Sequence, residues 1–381
     1  MPTSRRTPAM LLTLALTCAA APTPAVAAVA PLWDHPGYDA EDSHYNPRET
    51  VINGGSVRRL TQKWQATLRT NESCTGFSAP VLAGGRVHVS DQLGVSAQAA
   101  DNGKTLWRYG WDDPTDTETP RLAVADGLVI VAGGDCNSQS DPDGSLLALD
   151  ARTGLPRWKQ RLDRPVHSVV VDKNVIVVSG GSPSDEDGIT AYAVRDGRAL
   201  WSRAKALTSE VSADGTILAR ATDGSGIITG TSLALSITDG RQRWERRAGW
   251  TARAADASRF YVTDKSGVLS AVGVTDGASG WTATGTGNEL IAVDGRRVYR
   301  VNGKNIEALD ARTGKRVWAV AQKADGRQPV LAGGLLYPGG PVLNATDGTV
   351  AGPAFTGDLL VAGGRIHQVT DGVLTTYGPS V

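Results

Sequence analysis

One short pattern limits what this chain can become. Ala148, Asp150, Thr153, Gly154 and Trp158 recur at identical spacing as Ala308, Asp310, Thr313, Gly314 and Trp318. Weaker copies put Asp101 and Gly103 ahead of Trp107, Asp196 and Gly197 ahead of Trp201, Asp239 and Gly240 ahead of Trp244, and Asp276 and Gly277 ahead of Trp281. A last copy, Asp347 and Gly348, has no tryptophan. With Trp64 in front, the tryptophans step by 43, 51, 43, 43, 37 and 37 residues. A unit of that length cannot bury its apolar face alone, and repetition at this period is the signature of propeller blades.

Short β-branched runs stand ahead of each Asp-Gly turn, at 86–89, 128–131, 175–178, 260–262, 298–299, 335–337 and 365–367. They read as strands. Each unit is then strand, turn, strand, turn, strand, Asp-Gly turn and a Trp-led outer strand, which makes a four-stranded antiparallel blade. The glycines supply the positive φ of a tight hairpin, so they are architecture. Trp64, Trp107, Trp158, Trp201, Trp244, Trp281 and Trp318 are expected to dock flat on the neighbouring blade, which explains ten tryptophans against three phenylalanines. Seven blades end at Trp107, Trp158, Trp201, Trp244, Trp281, Trp318 and Gly352. The stretch 359–377 holds three further strands, and the missing fourth is available around Leu60–Leu68. The fold class is all-β, an eight-bladed propeller latched by N- and C-terminal strands that share the last blade.

The N-terminus reads as a signal peptide over 1–27, with Arg5 and Arg6, an apolar run from Leu11 to Ala21, and small residues at 25–27. Ser4, Arg5 and Arg6 also resemble a twin-arginine signal, from which Thr7 and Pro8 depart. Cys18 leaves with the signal. A leader covers 28–56 and one propeller domain covers 57–381, in a secreted or extracytoplasmic product without a later span. Thirty-nine basic residues balance 39 acidic ones, so nothing steers the chain to nucleic acid or an anionic membrane. It is expected to be a monomer.

The pattern at 148–158 and 308–318 resembles the tryptophan-docking repeat of the quinoprotein dehydrogenase superfamily. The leader, Trp33 to Asp39 followed by Ser43 to Pro47, is similar to the segment that opens polyvinyl-alcohol dehydrogenases. The resemblance implies pyrroloquinoline quinone (PQQ) with Ca²⁺ on the propeller axis, but it extends equally to non-catalytic members that assemble outer membranes as binding platforms. The chain has no Cys-Cys pair and no haem attachment site. The sequence therefore favours a non-catalytic binding or scaffold propeller with no cofactor, no catalytic residue and no metal. A PQQ-dependent alcohol dehydrogenase is the alternative. The partner is an envelope or extracellular protein, or a small-molecule ligand.

The longer inserts, at 110–120, 135–144 and 182–188, all fall in second-to-third-strand turns or blade-to-blade links, which share one face. That face is the expected binding surface, with Glu72, Asp112, Asp113, Asp116, Asp135, His167, Asp185 and Glu186 as its candidate residues. Its acidic clusters keep no calcium-loop spacing. Asp143-Gly144 and Asp187-Gly188 read as ordinary turn residues. His88 and His367 occupy the blade position filled elsewhere by Tyr261, Tyr299 and Tyr337, and read as inter-blade core. Cys74 and Cys136, on neighbouring blades and the same face of an exported chain, are expected to form a disulfide.

Overall fold

The Asp-Gly and Thr-Gly turns adopt the conformation their chemistry favours. Gly103, Gly154, Gly197, Gly240, Gly277, Gly314 and Gly348 all have φ between +65° and +76°. The same glycines carry a second constraint. A Cβ on Gly154 would lie 2.5 Å from Trp107 Cε3, and each of the seven glycines similarly meets the tryptophan of the preceding blade. Each indole Nε1 then donates to a carbonyl near that turn, as Trp107 does to Ala151 at 3.1 Å and Trp281 to Ala311 at 2.8 Å. The indole thus buries its face and satisfies its one donor at once.

The computed structural model describes residues 33–71, 74–138, 140–286, 290–302, 305–321 and 326–380, together with Met1. Blade 1 runs from Val81–Ala83 to Thr105–Gly110, blade 2 from Arg121–Ala125 to Pro156–Leu162, and blade 3 from Ser168–Asp172 to Ala199–Ala204. Blade 4 runs from Ala206–Ala213 to Gln242–Arg246, blade 5 from Thr251–Ala255 to Ser279–Thr286, blade 6 from Ile291–Val293 to Arg316–Ala321, and blade 7 from Val330–Ala332 to Val350–Ala354. Within each, four antiparallel strands run from the axis outwards. Blade 8 takes Asp358–Ala362, Arg365–Thr370 and Val373–Pro379 from the C-terminal end and Leu60–Thr67 from the N-terminal end, paired from Leu60 with Pro379 to Thr67 with Val373. The latch closes the ring as the repeat count requires. Blade 7 has no docking tryptophan; there Phe355 packs edge-on against Tyr337 and Tyr377, at 6.2 and 5.4 Å between ring centres.

The leader does something the repeats do not foreshadow. It runs around the inside of the ring and bonds to the inner strand of each blade in turn. Trp33 exchanges backbone hydrogen bonds with Leu82 of blade 1, and the carbonyl of Asp34 accepts from Val124 of blade 2. The His35 ring reaches the Val171 carbonyl of blade 3 at 2.7 Å. The carbonyls of Ala40, Glu41, Ser43 and His44 accept from Ser212, Ala255, Val293 and Leu331 of blades 4 to 7, and Asn46 Nδ2 donates to Val361 of blade 8. Such a tight arc takes Tyr38, Asp42 and His44 to φ of +84°, +51° and +51°, a conformation that costs non-glycine residues unless the surroundings impose it. Tyr45–Asn46 also pairs in parallel with Val330–Ala332, giving blade 7 a fifth, axial strand. His35 stands between the Asp34 carboxylate and the Val171 carbonyl. Both neighbours are acceptors, so both ring nitrogens must donate. Burial lowers its pKa, but the Asp34 hydrogen bond and charge outweigh it and raise the value above the ordinary one.

His88 and His367 are fully buried between blades, 5.6 and 5.8 Å from the ring centres of Trp107 and Trp64. Burial, reinforced by Arg86 and Arg365, lowers both pKa values to about 3.

Two predictions follow from this packing. Removing Val369 to Val381 strips the third strand from blade 8 and leaves Leu60–Thr67 without a partner, exposing long sheet edges. The truncated protein is expected to lose its cooperative melting transition and its monomeric state by light scattering, whereas deleting a surface loop leaves both. An unchanged melting temperature in the truncated monomer would contradict the closure. The histidines give a pH dependence. An unfolded histidine titrates near 6.5 and these folded ones near 3, so the unfolded chain binds more protons between those values. The stability they contribute is present above about pH 6.5 and is lost as pH falls, at up to about 1.4 kcal/mol per pH unit for each. Asp39 and Glu41, raised by burial to about 6 and about 7, slope the opposite way. The comparison therefore has to be with His88→Phe and His367→Phe, whose urea midpoints should drop less than wild type between pH 7 and pH 5.

Candidate functional site

The inner strands all start on one face, called here the top, and meet the leader near their far ends. What remains between is a funnel of about 410 Å³ on the axis, open upwards and floored by Pro36, Asp42 and His44 of the leader. Every blade or its incoming link lines it, with Arg121 from blade 2, His167 and Ser168 from blade 3, Thr208 to Val211 from blade 4, and Thr251 to Arg253 from blade 5. Ala79, Leu290, Gln328 and Asp358 complete the wall.

Several of its charged side chains are mutually engaged. Arg121 donates to Glu210, two blades away, so the pair spans the wall past the blade between them. Both side chains keep more than a third of their surface accessible, yet they stand in a concavity. Burial accordingly raises the Glu210 pKa, with Arg121 opposing and Asp42 adding to the rise. Below them His44 Nε2 lies 3.2 Å from Asp42 Oδ1. At the rim Arg327 bonds Asp358 at 3.1 Å. The His167 pKa is lowered, by burial first and by Arg121, against the pull of Asp187.

A second concavity of about 310 Å³ lies on the same face between blades 1 and 2. Tyr109 and Trp111 meet edge to face at 6.1 Å on one side of it. Four of the sequence-derived candidates converge here: Asp112, Asp113, Asp116 and Asp135. Asp112 pairs with Lys159, Asp143 with Arg161, and Asp113 caps the short turn Pro114–Asp116 through Thr115. Asp116 accepts from the backbone of Cys136 and Asn137. Burial pushes the Asp135 carboxyl up.

Cys74, in the link entering blade 1, is bonded to Cys136, in the second-to-third-strand loop of blade 2, with their Cα atoms 6.3 Å apart. The disulfide fixes this corner of the canopy and places both loops on the top face. Asp185 and Glu186 lie elsewhere on that face: Asp185 accepts from Ser182 at 2.6 Å and Glu186 faces Lys205 at 3.7 Å. Glu72 lies outside the described residues. Gly144 and Gly188 depart from their expected turn role, because both open third strands without positive φ. Sequence reasoning missed Asp42, His44, Arg121 and Glu210. His44 had a signal in the leader's resemblance, whereas Asp42 falls between the segments that carry it and nothing near Arg121 or Glu210 announces a pairing 89 residues apart.

The fold and its funnel define an eight-bladed propeller of PQQ-like repeats. Residues 91–255 and 233–359 match the family model described as outer membrane protein assembly factor BamB, and the chain belongs to that family. It is 30% identical over 158 residues to the outer membrane protein assembly factor BamB of Escherichia coli, which covers 40% of this chain and 39% of that protein. It is 27% identical over 191 residues to the putative dehydrogenase XoxF of Paracoccus denitrificans, covering 45% of this chain and 30% of that one. The quinohemoprotein alcohol dehydrogenase of Comamonas testosteroni superposes with a TM-score of 0.66 at 15% identity, over 94% of this chain and 82% of that one, a likeness of fold. The alignments thus span less than half the length of these curated relatives.

Whether the residues present suit a quinone can be judged from the lining. A planar quinone needs a flat ring to stack on, and its Ca²⁺ needs several convergent oxygens. The funnel lining has no phenylalanine, tyrosine or tryptophan, and among the described residues no three His, Cys, Asp or Glu side chains are placed to hold a metal ion. The lining thus presents neither a ring face for the quinone nor a cluster of carboxylates for its cation. What the funnel does offer is hydroxyls, an Arg–Glu pair and a His–Asp pair, all suited to polar contact.

The Arg121 cation holds the Glu210 pKa below what burial alone would set. Arg121→Ala is therefore expected to raise the Glu210 pKa, measured by carboxyl NMR titration, while costing less than about 1 kcal/mol in a pair so accessible. An unshifted titration would show that the pair is not formed in solution.

Proposed function

We propose that the protein is an extracytoplasmic binding platform without catalytic activity, which presents the top face of its propeller to an envelope partner or ligand. The observation that carries this reading is the funnel: a polar cup floored by the leader, with Arg121 paired to Glu210, His44 set against Asp42, and no aromatic face for a quinone. The family match to outer-membrane assembly factors supports it. Among the described residues no helix is long and apolar enough to cross a membrane, and an apolar N-terminal run over 11–21 follows two arginines, as export would require. The likeness to dehydrogenases keeps PQQ-dependent alcohol oxidation as the second reading.

One experiment separates the two. Purified protein titrated with PQQ and Ca²⁺ is expected to show neither a bound-quinone spectrum nor a thermal shift, and no dye-linked oxidation of primary or secondary alcohols. Photo-crosslinkers at Ser209 and Gln328, on the funnel wall, are expected to capture an envelope component, while one at Asp276, on a bottom turn, captures none. Alcohol oxidation that disappears in Arg121→Ala would replace the platform reading with the enzyme.

A further inference from the structure

The top face has a third concavity, of about 300 Å³, between blades 2 and 3 and outside the funnel. It is bounded by the link Arg161 to Pro165, by the end of the second strand of blade 3, and by the start of the third, Gly188 to Tyr192. Two arginines line it. Arg161 is spoken for, because Asp143 accepts from its Nε at 2.8 Å and from its terminal nitrogen. Arg164 is half-buried, and nothing in the described residues accepts a hydrogen bond from its guanidinium or forms an ion pair with it.

That is unusual within this molecule. The half-buried Arg69 and Arg259 face carboxylates, on Asp91 and Asp256, and the half-buried Arg86, Arg297 and Arg365 bond backbone carbonyls. A guanidinium has five donors in a rigid fork and no way to lose its charge. The Arg164 nitrogens remain open to solvent, so the fork stands as a free set of donors for a group that enters the cleft.

The fold makes room for this placement. The guanidinium lies directly over Gly188, where a Cβ would stand 2.2 Å from its Nη1 and 2.9 Å from Cζ. Gly188 is the first residue of a strand and has no positive φ. The backbone does not require glycine there, and a side chain would push the fork away from its present position. Beside it, Tyr192 feels the charge: burial raises its pKa, and a hydrogen bond with Thr190 and then Arg164 pull it back. The fork and two hydroxyls therefore share one wall of the cleft, and the second cation of the cleft is already neutralised by Asp143.

We propose that this cleft is an anion-binding site, in which Arg164 receives an oxyanion, a carboxylate or a phosphate, two-pronged, with the Tyr192 and Thr190 hydroxyls alongside. Two parallel N–H···O bonds to such a group are both stronger and more directional than a contact to lysine. The site is separate from the axial funnel and stands whether or not the platform reading holds. An acidic side chain of a docking protein and a phosphorylated ligand present the same chemistry here.

The test is isothermal titration calorimetry at low ionic strength with two probes, N-acetyl-aspartate amide and inorganic phosphate, on the full mature protein. At least one probe is expected to bind, with affinity reduced tenfold or more in Arg164→Ala and in Gly188→Ala, which displaces the fork without straining the backbone. Arg164→Lys should fall between, and Arg243→Ala, at an exposed arginine elsewhere, should match wild type. Binding of the aspartate probe alone assigns a carboxylate source, and of phosphate alone a phosphate source. Should wild type bind neither probe, or should Arg164→Ala, melting as wild type does, bind as tightly, the proposal is overturned.

Discussion

The contact on which the rest of the structure depends is an indole lying on a glycine. At seven of the eight blade junctions the outer-strand tryptophan of one blade covers the Asp-Gly or Thr-Gly turn of the next, and its Nε1 donates to a carbonyl beside that turn. Two demands meet at one residue. The hairpin needs positive φ, and the ring needs a surface without a Cβ; glycine alone meets both. The strands beneath can then be built from small β-branched residues and alanine, because the large apolar areas are concentrated where blades meet. The eighth junction, between blades 7 and 8, lacks the indole and is filled by Phe355 and Tyr377.

Beneath the tryptophans one second-strand position holds the polar rings of the inter-blade core. In blades 5 and 6 the inner hairpin turns on an aspartate and the second strand carries a tyrosine whose hydroxyl reaches it, Tyr261 to Asp256 at 2.7 Å and Tyr299 to Asp294 at 3.1 Å, whereas blades 2 to 4 have Ile130, Val177 and Leu218 at that position. Where the turn is Gly-Gly, at 84–85 and 363–364, the position holds His88 or His367, and no such acceptor is within reach. Tyr337 follows a Gly-Gly turn too, and its hydroxyl is buried without a hydrogen bond. A buried neutral histidine tolerates that setting because burial suppresses its protonation, leaving a modest polar cost in place of a charge.

Blade number, blade composition, the latch and the face that gathers the long loops were all legible, because each is encoded locally, in a turn residue, a period or a loop length. Cys74 and Cys136 were legible for the same reason, since strand alternation places both loops on one side. The funnel's chemistry was not. Arg121 meets Glu210 only because two inner strands, two blades apart, converge on an axis, and neither has a neighbour in sequence that marks it. Arg164 was equally silent, since its interest lies in what it fails to touch. The leader's role was silent too: it bonds to every blade, by backbone to blades 1, 2 and 4 to 7 and by the side chains of His35 and Asn46 to blades 3 and 8. Its residues carry no period because the partners it serves are spread over nearly 280 residues of chain, from Leu82 to Val361.

That leader has a consequence for how this propeller can vary. Propellers gain and lose blades when repeats duplicate or drop out, and the stacking of one blade on the next is indifferent to how many there are. A thread that visits each inner strand once, in order, is not indifferent. Between Trp33 and Asn46 it has one hydrogen-bonding stop for each of eight strands, and a ring of seven would leave a stop without a berth while a ring of nine would leave a strand unvisited. The thread works as a tally, holding the repeat number at eight while individual blades drift in sequence.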